Sequence, residues 1–272
     1  MRGIAILLRR VRAFAVRDFQ LALSYRLQFF FRVLQTLFIV TTLFFISQIF
    51  VGGVIQDYKQ WHNPLAAWLT GLAVLNYFMT GFSSLATAIR SEQMQGTLEG
   101  VLMTPISVPT LVVASSAWDF VQATFFSFLY LLLGWLFFGV TYRGSPLLAL
   151  LILLLTTFVL ASIGILSASF AMVFKRGDPF AVLLGTGATL FSGVLFPTQL
   201  LGSGFSYVSR ALPTTHGVEG IRRVLIEGQG FAEVREPIVT LCFFLVVLLP
   251  FSLWVFTRAV GRAKREGSLI QY

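Results

Sequence analysis

His216 and Glu219 stand one helical turn apart in His216-Gly217-Val218-Glu219, the residue types and spacing of a metal-ligating or proton-transferring pair. Di-iron helix bundles use such a pair, but they add carboxylates from neighbouring helices. The chain has one other histidine, His62, and no pattern supplies further ligands. His216 therefore reads as a helix-end or loop residue, and no metal site is expected. Asp119 is the one acid within an apolar run. A buried ionisable group is costly in a membrane and marks function or pairing. Asp119 lies near the start of its run, so solvation or pairing with an arginine accounts for it as well as a role in transport does. Serine and threonine are plentiful, but none is recognisably paired with a base, as a nucleophile requires. A single cysteine, Cys242, rules out a disulfide framework and a cysteine metal site. The only lysines are Lys59, Lys175 and Lys264, and none follows a glycine. A Walker A loop needs Gly-Lys-Ser/Thr so that the lysine reaches the phosphates. No catalytic residue and no bound cofactor are expected in this chain.

The elements that must position these side chains follow from composition. Of 272 residues, 57% are hydrophobic and 11% charged, against about 25% charged in soluble domains. Mean hydropathy is +0.84. This is the profile of an integral membrane protein. The net charge of +9 would suggest nucleic acid in a soluble protein. Here the basic residues cluster at the ends of apolar runs, as topology and anionic lipid headgroups require, so membrane lipids rather than nucleic acid are the expected contact.

Six apolar runs, near 29–51, 66–89, 110–138, 147–173, 180–201 and 237–257, are each long enough for a span of about 20 residues. The first exceeds the apolar core of a signal peptide and reads as a retained span. The expectation is one all-α transmembrane domain over 1–272, with an interfacial helix over 1–28, a six-span bundle over 29–257 and a tail over 258–272. In the N-terminal stretch Ile4, Leu7, Leu8, Val11, Phe14 and Ala15 share one face, and Arg2, Arg9, Arg10, Arg12 and Arg17 the other. That suits a helix lying in the membrane interface; a basic topogenic tail is the alternative. With the N-terminus inside, the inner segments hold thirteen basic residues and the outer ones six. Both termini are thus expected in the cytoplasm.

Two segments between spans are informative. Over 90–107, Met94, Leu98, Val101 and Leu102 fall on one helical side, with Glu92 and Glu99 opposite. Ser91 is a candidate N-cap, and Pro105 ends the helix. A short amphipathic helix with an acidic face suits docking on a soluble partner; an interfacial helix resting on lipid fits equally. The outer segment 202–236 is broken by Gly202, Gly204, Pro213, Gly217 and Gly220. It reads as a plain loop or as two short helices dipping back into the outer leaflet. Gln35 and Gln48 in the first span, and Asn76 and Thr80 in the second, either line a pathway or hydrogen-bond a neighbouring helix.

Three places resemble the membrane subunits of bacterial type-2 ABC exporters, the group of drug, lipid and nodulation-factor exporters. They are Glu92 with Gly96-Thr97-Leu98-Glu99 and Thr104-Pro105-Ile106-Ser107; Ser192-Gly193-Val194-Leu195-Phe196-Pro197 with Leu212-Pro213-Thr214-Thr215-His216 and Glu219-Gly220-Ile221-Arg222; and the tail ending Gly267-Ser268-Leu269-Ile270. The resemblance implies a permease of the bacterial inner membrane. Residues 91–107 would be a coupling helix on the ATPase, carried by Glu92, Met94, Gly96, Thr97, Leu98, Glu99, Leu102 and Pro105. Residues 202–236 would be re-entrant helices near the exit, a region marked by Phe196 and Pro197 just before them and by Pro213, His216, Glu219 and Arg222 within them. It further implies two copies of the chain and two ABC ATPase subunits, with ATP and Mg2+ bound at the ATPases. Gln35, Asn76 and Asp119 are the polar candidates within the membrane. The sparse intramembrane charge and 29 phenylalanines favour an amphipathic or lipid-like cargo moved outward. An ATP-independent carrier or channel, and a membrane anchor for a cytoplasmic complex, are the competing readings. Gln93 and Met94 stand where relatives often carry charge before Gly-Thr-Leu-Glu.

Overall fold

The computed structural model describes residues 16–20, 24–51, 64–94, 108–174, 185–187, 189–194 and 202–265, with Ala13, Gly96 and Gly100. The described elements are α1 (Arg26–Val51), α2 (Pro64–Met94), α3 (Val108–Phe138), α4 (Pro146–Phe174), α5 (Gly202–Ala211), α6 (Pro213–Leu225) and α7 (Arg235–Arg265). Lipid offers no partner to backbone N–H and C=O groups, so an apolar run that crosses a bilayer must satisfy them within its own helix. Proline opens α2, α4 and α6, at the first helical position where its missing N–H costs nothing. Among the described residues, five helices are long and apolar enough to cross a membrane: Arg26–Ile49, Pro64–Glu92, Ser116–Phe138, Pro146–Phe170 and Arg235–Arg262. The chain is thus a multi-pass, all-helical membrane protein. In the fifth expected span, residues 185–187 and 189–191 are helical and 192–194 bend; the other residues of that run lie outside the described set. α7 continues through the first residues of the expected tail to Arg265.

Among the described spans α2, α4 and α7 run one way, and α1 and α3 run the other. Leu85 and Ile89 of α2, Ile165 and Ala168 of α4, and Phe256 and Val260 of α7 form one buried cluster. At the other end Val74, Ile152, Val218, Ile221 and Leu241 bring α6 into a second core with the same three helices. α1 is peripheral, touching α2 and α3 through Val40, Leu65, Leu69 and Leu133.

α2 and α4 approach each other closely through their backbones. A Cβ on Gly164 would collide with the Gly81 carbonyl oxygen and lie 2.7 Å from that of Phe82. Small residues at such a crossing are what lets two membrane helices touch. Gly164→Ala is expected to push them apart at a cost of about 1–3 kcal/mol, read as a lower melting midpoint of the purified protein. An unchanged midpoint would show that the crossing is slack.

Candidate functional site

Most of the functional candidates lie at the two ends of the bundle, while Asn76 and Gln35 lie along the helices between them. At one end α2 does not stop where its apolar run stops. Arg90, Ser91, Glu92, Gln93 and Met94 are good or neutral helix formers and extend it to Met94. The N-cap expected at Ser91 is therefore absent. Its hydroxyl donates to the Ala88 carbonyl at 2.8 Å, inside the helix. The break comes instead at Gly96, in a left-handed turn with φ of 68°, which favours glycine. Met94 is exposed just before it. Gly100 is helical. Thr97, Leu98, Glu99, Leu102 and Pro105 lie outside the described residues.

Glu92 is engaged within the chain. Arg17 Nη1 donates to its carboxylate at 3.0 Å, and Arg17 Nε donates to Asp18 at 2.9 Å. Next to this, Phe19 meets the Trp118 ring edge-on at 5.3 Å. The N-terminal segment thus clasps the last turn of α2 and the first turns of α3, on both sides of the connection between them. Asp119 faces the same region, within electrostatic reach of Asp18 and Arg32. Arg32 donates to Gln122 at 2.8 Å and sits 4.1 Å over the Phe126 ring, which ties α1 to α3. Sequence reading singled out none of Arg17, Arg32, Gln122 and Trp118 as site residues. Their partners are distant in sequence, and no local spacing signals such contacts.

Asn76 is a helix-to-helix tie. Its amide donates to the Ala123 carbonyl at 3.0 Å and to Ser127 Oγ at 3.1 Å. Ser127 in turn donates to the Ala73 carbonyl at 2.9 Å. Tyr77 donates to Thr124 at 2.6 Å, and Ser84 to Ser116 at 3.1 Å. These bonds run from the middle of α2 and α3 to their shared end, so the two helices form a zipped pair. Asn76→Leu is expected to lower stability by about 1 kcal/mol, in the range of interhelical hydrogen bonds within membranes. The check is the melting midpoint beside the cargo preference. An unchanged midpoint with altered cargo preference would instead make Asn76 a pathway residue.

At the opposite end two short helices, α5 and α6, meet at Leu212. Pro213 is buried at the start of α6. His216 Nε2 lies 2.9 Å from the Arg210 carbonyl, its ring faces Phe244, and Glu219 pairs with Arg223 one turn on. His216 is thus half-buried against α7, Glu219 is exposed in its ion pair, and among the described residues no group of three His, Cys, Asp or Glu could hold a metal. Phe196 and Pro197 lie outside the described residues.

Arg222 is the focus of this end. Its Nε and Nη2 donate to the Ala67 carbonyl at 3.2 and 3.0 Å, Nη1 donates to that of Gly193, and Nη2 donates to that of Val194 at 2.9 Å. One guanidinium fork therefore joins α6, the first turn of α2 and the bend at 192–194. α6 lies outside the five apolar spans. Burial pushes Arg222 down to about 10, so it remains charged at neutral pH. The cation answers the bend at 192–194, whose backbone has no helical partners to offer.

Gln35 differs from all of these. It is exposed on α1, in an open groove lined by Phe31, Leu34, Phe38, Ile39, Thr42 and Leu43.

The family described as "ABC-2 type transporter" matches residues 9–226. Nodulation protein J of Rhizobium leguminosarum bv. viciae is 28% identical over 66% of this chain and 69% of its own. Nodulation protein J of Rhizobium meliloti is 28% identical over 69% and 71%, and that of Sinorhizobium fredii 28% over 71% and 72%.

Proposed function

The chain belongs to the ABC-2 type transporter family, and from that premise we propose that it is the permease of an ATP-driven exporter of amphipathic or lipid-like cargo. Two copies would form the path, each served by one ABC ATPase subunit that binds ATP and Mg2+. The membrane would be the bacterial inner membrane, with both termini and the Glu92 end in the cytoplasm and α5–α6 at the outer exit.

The observation that carries this reading is the zipped α2–α3 pair. Segment 95–107 joins two helices held together by Asn76, Ser127, Tyr77 and Thr124 and clasped by Arg17 on Glu92. A push on that segment moves both helices as one lever instead of bending one of them. Closure of the two ATPases on ATP would supply the push. The span bundles would then rock so that a path between two copies opens outward. The α1 groove suits the path: Gln35 presents an amide there without a partner among the described residues, amid phenylalanine and leucine. Such a surface takes an acyl chain beside a polar group.

The test is mild-detergent purification of the tagged protein from its native membrane, with mass spectrometry of companion proteins and lipids. A stoichiometric companion carrying Walker motifs is expected, and an enriched lipid or glycolipid would name the cargo class. Repeated recovery of the protein alone would overturn the proposal in favour of an ATP-independent carrier. A stoichiometric companion without nucleotide-binding motifs would favour a membrane anchor.

A further inference from the structure

One exposed face of α7 carries Phe243, Val247, Phe251 and Trp254, and then Arg258 and Arg262. Steps of four and three residues keep all six on a single stripe. Phe251 and Trp254 stack, with ring centroids 6.2 Å apart and planes at 25°. The Arg258 guanidinium carbon lies 4.0 Å from the Trp254 ring centroid. Arginines near the end of a membrane helix usually send the charged head outward to water. This one reaches back along the helix, toward its apolar middle, and rests over the ring. Among the described residues no carboxylate pairs with it. A guanidinium that gives its face to an aromatic ring keeps its N–H fork at the edge. That fork matches phosphate oxygens through two parallel hydrogen bonds. From Trp254 to Phe243 the apolar part of the stripe rises about 16 Å, close to half of the ~30 Å hydrocarbon core.

We propose that this stripe binds an anionic phospholipid, its phosphodiester on Arg258 and Arg262 and one acyl chain laid along Trp254, Phe251, Val247 and Phe243. Charge and length both point to this occupant. A second copy of the chain fits poorly. Two copies in one membrane are related about its normal, so a self-contact along this stripe would set Arg258 against Arg258 at the same depth. A zwitterionic lipid has the phosphate but also a cation that the arginines repel.

The test uses the full-length protein in phosphatidylcholine nanodiscs. Each sample contains an equal small fraction of phosphatidylglycerol or phosphatidylcholine bearing a photoreactive group on the acyl chain. Adducts are mapped by mass spectrometry. On residues 243–262 the glycerol lipid is expected to exceed the choline lipid, by roughly fivefold for each arginine engaged. In Arg258→Gln/Arg262→Gln that ratio should fall to near one, while the ratio on the N-terminal arginine segment stays unchanged. Trp254→Leu should lower it in part, and Arg258→Lys should keep some of it. Melting midpoints in the same discs establish that each variant is folded. Equal adducts for both lipids on the native stripe, a ratio unmoved by the double substitution, or cross-links from the stripe to a second copy would each overturn the site.

Discussion

Arg222→Leu is expected to cost about 3–5 kcal/mol, at roughly 1 kcal/mol or more for each buried carbonyl left without its charged donor. Three such carbonyls accept from this one side chain: Gly193, Val194 and Ala67, the last of which also accepts from Thr70 Oγ1. Leucine fills part of the volume and supplies no donor. Arg222→Lys keeps the charge, but an ammonium is a point donor without the fork, so it should recover about half of the loss. A second, independent probe acts on the same junction from the other side. A Cβ on Gly71 would lie 3.0 Å from the Val194 carbonyl oxygen and 3.2 Å from Arg222 Nη2. Gly71→Ala should therefore destabilise by wedging the bend away from α2. Combined with Arg222→Lys it should cost less than the two single losses added, because both break one junction. The measurement is the melting midpoint of detergent-purified protein, with the yield of folded monomer alongside. If Arg222→Leu melts with the native protein, the guanidinium is not what holds α6 to α2.

The difference between what the sequence made legible and what it did not follows the range of the interactions. Hydropathy is a local property, and apolar runs at 66–89, 110–138 and 147–173 predict α2, α3 and α4 to within a few residues. For 202–236 the breakers around Pro213 leave a plain loop and a pair of short helices both open, and the structure has α5 and α6 there. Helix ends were harder, because apolarity and helicity are separate matters. Arg90–Met94 is polar and still helical, so the lipid-facing run ends before the helix does and Ser91 caps nothing. Partners were the least legible. Asn76 stands out as a polar residue in an apolar run and Arg222 through the family resemblance, but both bond backbone carbonyls, and every residue owns a carbonyl. No residue type at Ala123 or Ala67 announces the contact. Arg17 on Glu92 joins positions 75 residues apart, beyond the reach of any helical periodicity.

That ion pair sharpens the prediction for the coupling segment. Two acids, Glu92 and Glu99, stood seven residues apart on the face proposed to meet the ATPase. Glu92 now has a partner inside the chain and a mostly covered side chain, which leaves Glu99 as the acid for the docked surface. Reversing a charge at a docked interface sets like charges together and leaves the partner's cation unpaired, a cost of roughly 2–5 kcal/mol. Each 1.4 kcal/mol is a factor of ten. Glu99→Lys is therefore expected to reduce transport-linked ATP hydrolysis by tenfold or more in proteoliposomes containing the partner ATPase, with membrane insertion and melting midpoint intact. Glu92→Arg should behave differently. It sets two arginines side by side at the end of α2, costs about 0.5–1 kcal/mol of stability because the pair is partly exposed, and should be repaired by Arg17→Glu in the same chain. No second change within this chain should repair Glu99→Lys, whereas an acid placed on the facing surface of the ATPase should. Normal coupled turnover in Glu99→Lys would remove Glu99 from the interface. Repair of Glu99→Lys by Arg17→Glu would mean that the N-terminal segment, and not the ATPase, is its partner.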